Sequence, residues 1–462
     1  MLEFQKKLKN SFYVLLSLPA TAMGLALSIQ IAVLSWILTT KYGLDIHEVG
    51  FVWAAGPLAG ILGQPIIGLI SDKVWFWGGR RRPFIIIGGF LAAFSILALP
   101  NIDQIADLFG IASLMGVAIT IALTLDLSIN ISFNPTRSII ADVTPEGATR
   151  TKGYTWMQSF SNLFGSLAYL VGAIFSNYVL IYTGAFVVIC FSIIPLFFIE
   201  EPIDLSKDNE KKPLNTPDSE IAKETAIGKT NWAELMKIYF AHSFSWLGIQ
   251  TMFVYIIAFL QQKMFTPDVY EKYQIIQELK KVKEVIPDNL QQINDLVATE
   301  TGRMISISFF LLNAIGVFLP VFFLEPLTKR IGQVRTHYLA VAVMSIGYFL
   351  IAMFARSELL LYSFIAIVSI GWSAVVSLPF AIMTEKVDKS KMGFFMGIFN
   401  LSVVLPQLVV SLAIGYFILN AENKAFVFFF ATVCLAVSSI LWTFVKDNRN
   451  TTASTPIIRS GH

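Results

Sequence analysis

Charge is scarce in this chain. Only 14% of its 462 residues are charged, against about a quarter in an ordinary soluble domain, and that deficit excludes one or two water-soluble globular units. Cysteine is scarcer still. Cys190 and Cys434 stand far apart inside apolar runs, which excludes a disulfide framework. The formal charge of +3 is too small to point to nucleic acid as a partner. The sequence offers no metal-ligand cluster, no nucleophile elbow and no nucleotide loop, so an enzyme, a metal or an organic cofactor finds no support in it.

Apolar length is what the chain has in abundance. Hydrophobic residues make up 55% of it, 39 of them Phe, and the mean hydropathy is +0.66. Apolar runs separated by polar breaks lie near 12–38, 47–71, 84–100, 109–133, 155–177 and 179–199, then near 238–262, 304–328, 337–354, 358–383, 392–419 and 424–445. Each is long enough to cross a bilayer as a helix, and in lipid the backbone must pair within its own segment. The fold class expected is therefore an all-α membrane protein with twelve transmembrane helices in two six-helix halves. Lys6, Lys7 and Lys9 ahead of an apolar stretch imitate a secretory signal, but the apolar character continues to Leu38. That stretch is expected to be an uncleaved first span.

With both termini placed in the cytoplasm and alternating spans, 25 of the 34 lysines and arginines fall inside. Six of the outer nine belong to one long loop, where the positive-inside rule weighs least. The expected organisation is an N-terminal half over 1–200, a cytoplasmic linker over 201–236, a C-terminal half over 237–448 and a cytoplasmic tail over 449–462. An insertion near 264–302 interrupts the second half on the outer side. Within it, Thr266-Pro267 reads as an N-cap followed by proline at the first helical position, with Tyr273, Ile276 and Leu279 at helical spacing. After Pro287 a second amphipathic helix is expected through Leu290, Ile293 and Leu296. Solvated ornament is the plainer role for this insertion, and a substrate lid the alternative. Two halves of six spans place a substrate site between them near the bilayer midplane.

The chemistry concentrates in the fourth span. Asp126 sits well inside the apolar run Ile119–Ile131, where a lone carboxylate costs about 2.5 to 3.5 kcal/mol on insertion scales and is functional by default. Asn130 and Asn134 follow at i+4 and i+8, on one helix face. The stripe suits a proton-exchanging group beside amides that bind hydroxyls; a structural hydrogen bond between helices is the alternative. Neutral amides also sit at Gln30, Gln64, Gln158, Asn162, Gln250, Asn313, Asn400 and Gln407. Such groups both donate and accept, as a polyol demands, and Trp156, Trp246 and Trp372 offer aromatic faces to a sugar ring. Each alone is as well explained as interhelical glue. Together they outnumber the buried charges and favour a neutral polar substrate. His242 in the seventh span is a further candidate, with a satisfied structural histidine as the alternative.

A gating device is expected between the second and third spans. Gly68, Ser71-Asp72-Lys73 and Gly79-Arg80-Arg81-Arg82-Pro83 set a close-packing glycine, a carboxylate and a cluster of arginines at one turn. Arg137 and Asp142, one to two turns below the Asn stripe, are expected to serve as a gate or surface pair.

The loop from Gly68 to Arg82 resembles the signature loop of the major facilitator superfamily. Leu125-Asp126-Leu127-Ser128-Ile129-Asn130, then Pro135-Thr136-Arg137 and Ala141-Asp142, resembles the fourth-helix segment of plant sucrose transporters and their animal and bacterial relatives. Gln64-Pro65-Ile66-Ile67-Gly68, Gly397 to Leu401 and Pro406 to Ser411 match in the same way. The broader group is the glycoside-pentoside-hexuronide cation symporters. The resemblance implies proton-coupled uptake of a sucrose-like or maltose-like glycoside, with Asp126 as the protonatable group and Asn130 beside it. It also implies a gating hinge at Gly68, Asp72, Arg80 and Arg81. An arginine that plant members carry near the outer end of the fifth helix has no counterpart between Ser159 and Tyr182.

The expected protein is a secondary transporter with a small sugar as substrate and the lipid bilayer as surroundings. It is expected to be a monomer in a bacterial inner membrane, driven by H+ as coupling ion. A sodium-coupled or facilitative carrier is the alternative within transport, and a polytopic membrane enzyme or sensor the alternative outside it.

Overall fold

In the computed structural model the described residues are 5, 7–61, 75–145, 148–201, 230–282, 284–319, 323–387 and 392–446. Among them, helices occupy all twelve expected positions and no named strand is present. Within the described residues eight helices are long and apolar enough to cross a membrane. The exceptions are informative. The twelfth, Phe426–Trp442, is apolar but short, and the second is described only as far as residue 61. The fifth (Ala148–Ile174) is long but more polar, and the eighth (Asp288–Leu319) runs into residues of which only part is described.

Local chemistry sets the helix ends. Asp45 and Glu48 form a reciprocal capping box that starts the second span at Ile46. Ser113, Ser176, Asn231 and Ser357 each accept a backbone N–H at the start of the fourth, sixth, seventh and tenth spans. Gly110, at φ +65, ends the short helix Ile102–Phe109 in the left-handed conformation. The eleventh span carries Pro406, and Val410–Ile414 then loosens into a π-turn. The Tyr255 hydroxyl donates to the Val410 carbonyl at 3.1 Å, so a neighbouring span takes up a carbonyl within that irregular turn.

The spans pack as two bundles. In the first half, the first span lies against the fifth and sixth, and the third against the fourth and sixth. In the second half, the seventh span lies against the eleventh and twelfth, the eighth against the tenth, and the ninth against the tenth and twelfth. One face of the molecule carries the insertion, and the opposite face carries the ends of the linker.

The apolar cores differ at these two faces. Toward the insertion face one continuous core joins both halves, running from Ile29, Trp36 and Val52 through Tyr169 to Phe253, Phe309 and Val410. Toward the linker face the cores formed by the described residues are separate. Phe12, Leu16, Ile85, Ile139 and Leu196 form one in the first half, and Leu235, Tyr239, Val334, Phe395 and Trp442 form another in the second.

Two expected boundaries are corrected. The second helix of the insertion is not an independent element: Asp288–Leu319 is one helix, so the eighth span begins about four turns before its apolar stretch. Burying Val297 against Tyr273 and Ile276 stabilises that extension, while Leu296 points outward at 47% exposure. The linker is shorter than 201–236, because the seventh helix already starts at Trp232 and Glu201 is built into the first half. The expected helix start at Thr266-Pro267 holds, although the Thr266 hydroxyl makes no cap bond. The tail over 449–462 lies outside the described residues.

Candidate functional site

Asp126 is buried on the fourth span, and its carboxylate Oδ2 accepts a 3.0 Å hydrogen bond from Nε2 of Gln30 on the first span. Gln30 is itself buried, and its Oε1 has no partner. The third wall is Gly56 of the second span. A Cβ there would lie 3.3 Å from both carboxylate oxygens, so the bare backbone lets the helix close over the acid. Asn130 donates to the Asp126 backbone carbonyl at 2.8 Å. Of the expected carboxylate–amide stripe, Asp126 and Asn130 are both buried, with Asn130 engaged on its own helix. The Asn134 side chain, like Gln64, Gly68 and Asp72, lies outside the described residues.

In the second half the structure brings Gln250 and Gln407 together, Nε2 of Gln407 donating to Oε1 of Gln250 at 3.3 Å. Trp246 Nε1 donates to His242 Nε2 at 3.0 Å, and the imidazole stacks on Phe399 with centroids 4.9 Å apart. An accepting Nε2 requires the uncharged ring, which makes His242 a holder of Trp246. From Trp246 an aromatic chain runs through Trp372 (6.2 Å), Phe253 (5.3 Å) and Phe309 (5.3 Å) to Tyr169 (5.6 Å) on the fifth span. It crosses from one half into the other.

Other expected ligands are placed less tellingly. Gln158 donates to Asn162 at 3.0 Å on the exposed face of the fifth span. Asn313 bonds the Phe309 carbonyl of its own helix, and Asn400 is half-buried. Trp156 stacks with Phe160 at 5.9 Å.

Among the described residues, hydrogen bonds join the two halves where the insertion face closes. Trp36 Nε1 donates to the Ala298 carbonyl at 2.7 Å, Ser35 to that of Val254 at 2.8 Å, and Ser306 to Asn177 Oδ1 at 3.1 Å. Glycines allow the approach: a Cβ at Gly50 would collide with the Ser411 carbonyl and the Tyr255 hydroxyl, and one at Gly302 would lie 2.8 Å from Trp36 Nε1. Lys280 of the insertion donates to the Thr40 carbonyl at the end of the first span and to Asn294 Oδ1 at 2.6 Å. The insertion is thus attached to the opposite half, which the ornament role did not anticipate.

At the linker face the polar contacts of Asp142 and Glu201 lie within the first half. Asp142 pairs with Arg80 (3.4 Å) and Arg81 (3.2 Å). The expected Arg137–Asp142 pair is replaced: Arg137 lies over the Phe133 ring at 5.0 Å and its carbonyl accepts from Tyr154. The carboxylate of Glu201 accepts the backbone N–H groups of Arg80, Arg81 and Arg82 at 2.7 to 3.2 Å, capping the third span. A Cβ on Gly79 would strike it. Glu201 was missed because it follows the sixth span by two residues and looks like linker. Gly56 was missed too, though Gly56 and Gly60 carry the small-residue spacing of close helix contact.

The Major Facilitator Superfamily profile matches residues 16–405. The sucrose transport protein SUC4 of Arabidopsis thaliana is 22% identical, over 88% of this chain and 84% of its own length. The general alpha-glucoside permease of Schizosaccharomyces pombe is 29% identical over 28% of this chain and 24% of its own. Among solved structures, the inward-open xylose transporter XylE from E. coli superposes with TM-score 0.65 at 14% identity, covering 96% of this chain and 97% of that one.

Proposed function

Because the chain belongs to the Major Facilitator Superfamily, we propose that this multi-pass membrane protein imports a neutral glycoside of disaccharide size, sucrose-like or maltose-like, by proton symport. The observation that carries this proposal is the Asp126–Gln30 pair. A carboxylate buried in a span beside a neutral amide has no countercharge in that contact, so taking up a proton removes the cost of its charge and releasing one restores it. Coupling follows if the acid meets the outer solution in one state and the inner solution in the other.

Alternating access is supported by the cores. Among the described residues they are shared between halves at the insertion face and separate at the linker face, an arrangement that suits bundles pivoting about the shared side. A cytoplasmic linker face, as the positive-inside count favours, makes this arrangement of cores an inward-facing one. The aromatic chain and the amides Gln250 and Gln407 supply apolar ring contact and hydroxyl pairing for a sugar. The names of the relatives, sucrose transport proteins and an alpha-glucoside permease, point to the same substrate class.

The test is uptake of labelled maltose and sucrose into proteoliposomes with an imposed pH gradient, for the native chain and Asp126→Asn. The variant is expected to exchange sugar across the membrane but to lose accumulation above equilibrium. Full gradient-driven accumulation by Asp126→Asn sinks the proposal, and accumulation that follows a sodium gradient in the native protein replaces the ion.

A further inference from the structure

The closed insertion face holds a cleft of about 490 Å³, within the roughly 300–1,000 Å³ range of small-ligand sites. It lies outside the Asp126 and Trp246 clusters. Trp36 and Tyr178 pack edge to face at 5.3 Å on one side of it, both from the first half. Asn294, Thr299 and Lys280 line the other side, from the insertion. Both halves therefore build it, and only while the insertion is docked.

Three cations border this cleft, and each is already engaged. Lys41 bonds the Pro100 carbonyl and pairs with Asp103 at 3.5 Å. Lys280 bonds the Thr40 carbonyl and Asn294. Arg303 pairs with Glu300 at 2.5 Å and Glu358 at 2.6 Å. An anion would have to compete for every one of them. A neutral polyol instead finds aromatic edges for its C–H faces and a rim of amide, hydroxyl and carbonyl groups that donate and accept.

We infer that this cleft is a second glycoside site, on the outer face, whose occupation holds the insertion face closed. The inference rests on the glycoside transport proposed above. Opening that face moves Trp36 and Tyr178 away from Asn294 and Thr299, so the ligand binds the closed state better and shifts the population toward it. Outer glycoside at high concentration then slows its own uptake. The insertion, made of the helix Pro267–Lys281 and the extended start of the eighth span, is the element that creates the site.

The experiment has three readings. Initial uptake of labelled maltose by the native chain is expected to rise with outer maltose and then fall by at least about twofold at high concentration. Thr299→Trp fills the cleft from an exposed position; it is expected to reach a plateau without the fall, with uptake at low concentration unchanged. Equilibrium binding of maltose to purified protein is expected to drop from two equivalents to one in that variant. Independently of how Thr299→Trp folds, Thr299→Cys should react with an impermeant maleimide more slowly when maltose is present. One equivalent bound by the native chain, a fall that persists in Thr299→Trp, or maleimide reaction indifferent to maltose each overturns the second site. Failure of low-concentration uptake in the native chain overturns the transport proposal instead.

Discussion

The two ends of this molecule are built on opposite plans. At the insertion face, apolar core and hydrogen bonds cross from one half to the other: Trp36 to Ala298, Ser35 to Val254, and Lys280 to Thr40. Among the described residues of the linker face the same kinds of contact turn inward. Glu201 and Asp142 knit the turn at Arg80–Arg82 to the sixth and fourth spans of one half, and Glu234 accepts from Lys237 and the Lys446 backbone within the other. A bundle closed by itself at one end and by its neighbour at the other can rock without unfolding. The seam is also imperfect, since buried Asn177 Nδ2 has no partner there. Closure that leaves polar groups unpaid in hydrogen bonds is easier to reverse.

The strongest way to break this contrast is at Gly50. A bulky side chain there collides with Ser411 and Tyr255 across the seam, so Gly50→Leu is expected to hold the insertion face apart. Uptake should fall by about a hundredfold or more, the equivalent of roughly 3 kcal/mol against closure, while maleimide reaction of cysteines placed at the seam rises. Retained uptake with an unreactive seam would show that the halves do not meet there.

Glu201→Ala tests the other end. Three backbone N–H groups lose their acceptor, and the first half should lose about 1–3 kcal/mol of stability, read as a lower unfolding temperature in detergent. Seam reactivity should stay as in the native chain, because this carboxylate acts within one half. A large change in seam reactivity would mean that the two faces are mechanically linked through the third span.

Lys280→Met gives the smallest effect. It removes the tie from the insertion to the Thr40 carbonyl and is expected to raise seam reactivity severalfold with little loss of unfolding temperature. Burial holds the Lys280 ammonium down to about 8, with Asp295 opposing that shift. A lysine whose value is lowered on docking makes docking costly while it is charged. The cost is therefore full below that value and fades as pH rises toward the usual lysine range. Spin-label distances between the insertion and the first span should shorten over that interval in the native chain and not in Lys280→Met.

Much of this organisation is legible from residues alone, and the limits have physical causes. Span positions follow from apolar length, and Asp126 stands out because a carboxylate in such a run has no solvent to hide in. The start of the insertion helix is marked by Thr266-Pro267, a signal local to four residues. The continuity of Asp288 with Leu319 is not local. It depends on Val297 finding Tyr273 and Ile276, a contact made only after the chain folds back. Arg137 was paired with Asp142 on the strength of sequence proximity, yet Arg80 and Arg81 from another span reach the carboxylate first.

Composition and order alone determined that the chain inserts as two sets of six helices with one acid in the fourth, because hydropathy and backbone pairing act segment by segment. Tertiary structure decided which neutral group meets that acid, which face is sealed, and where the insertion lands. Those outcomes depend on Gln30, Gly56, Glu201 and Lys280 meeting partners 70 to 240 positions away. Contacts at that separation are set by how helices pack, and no local pattern announces them.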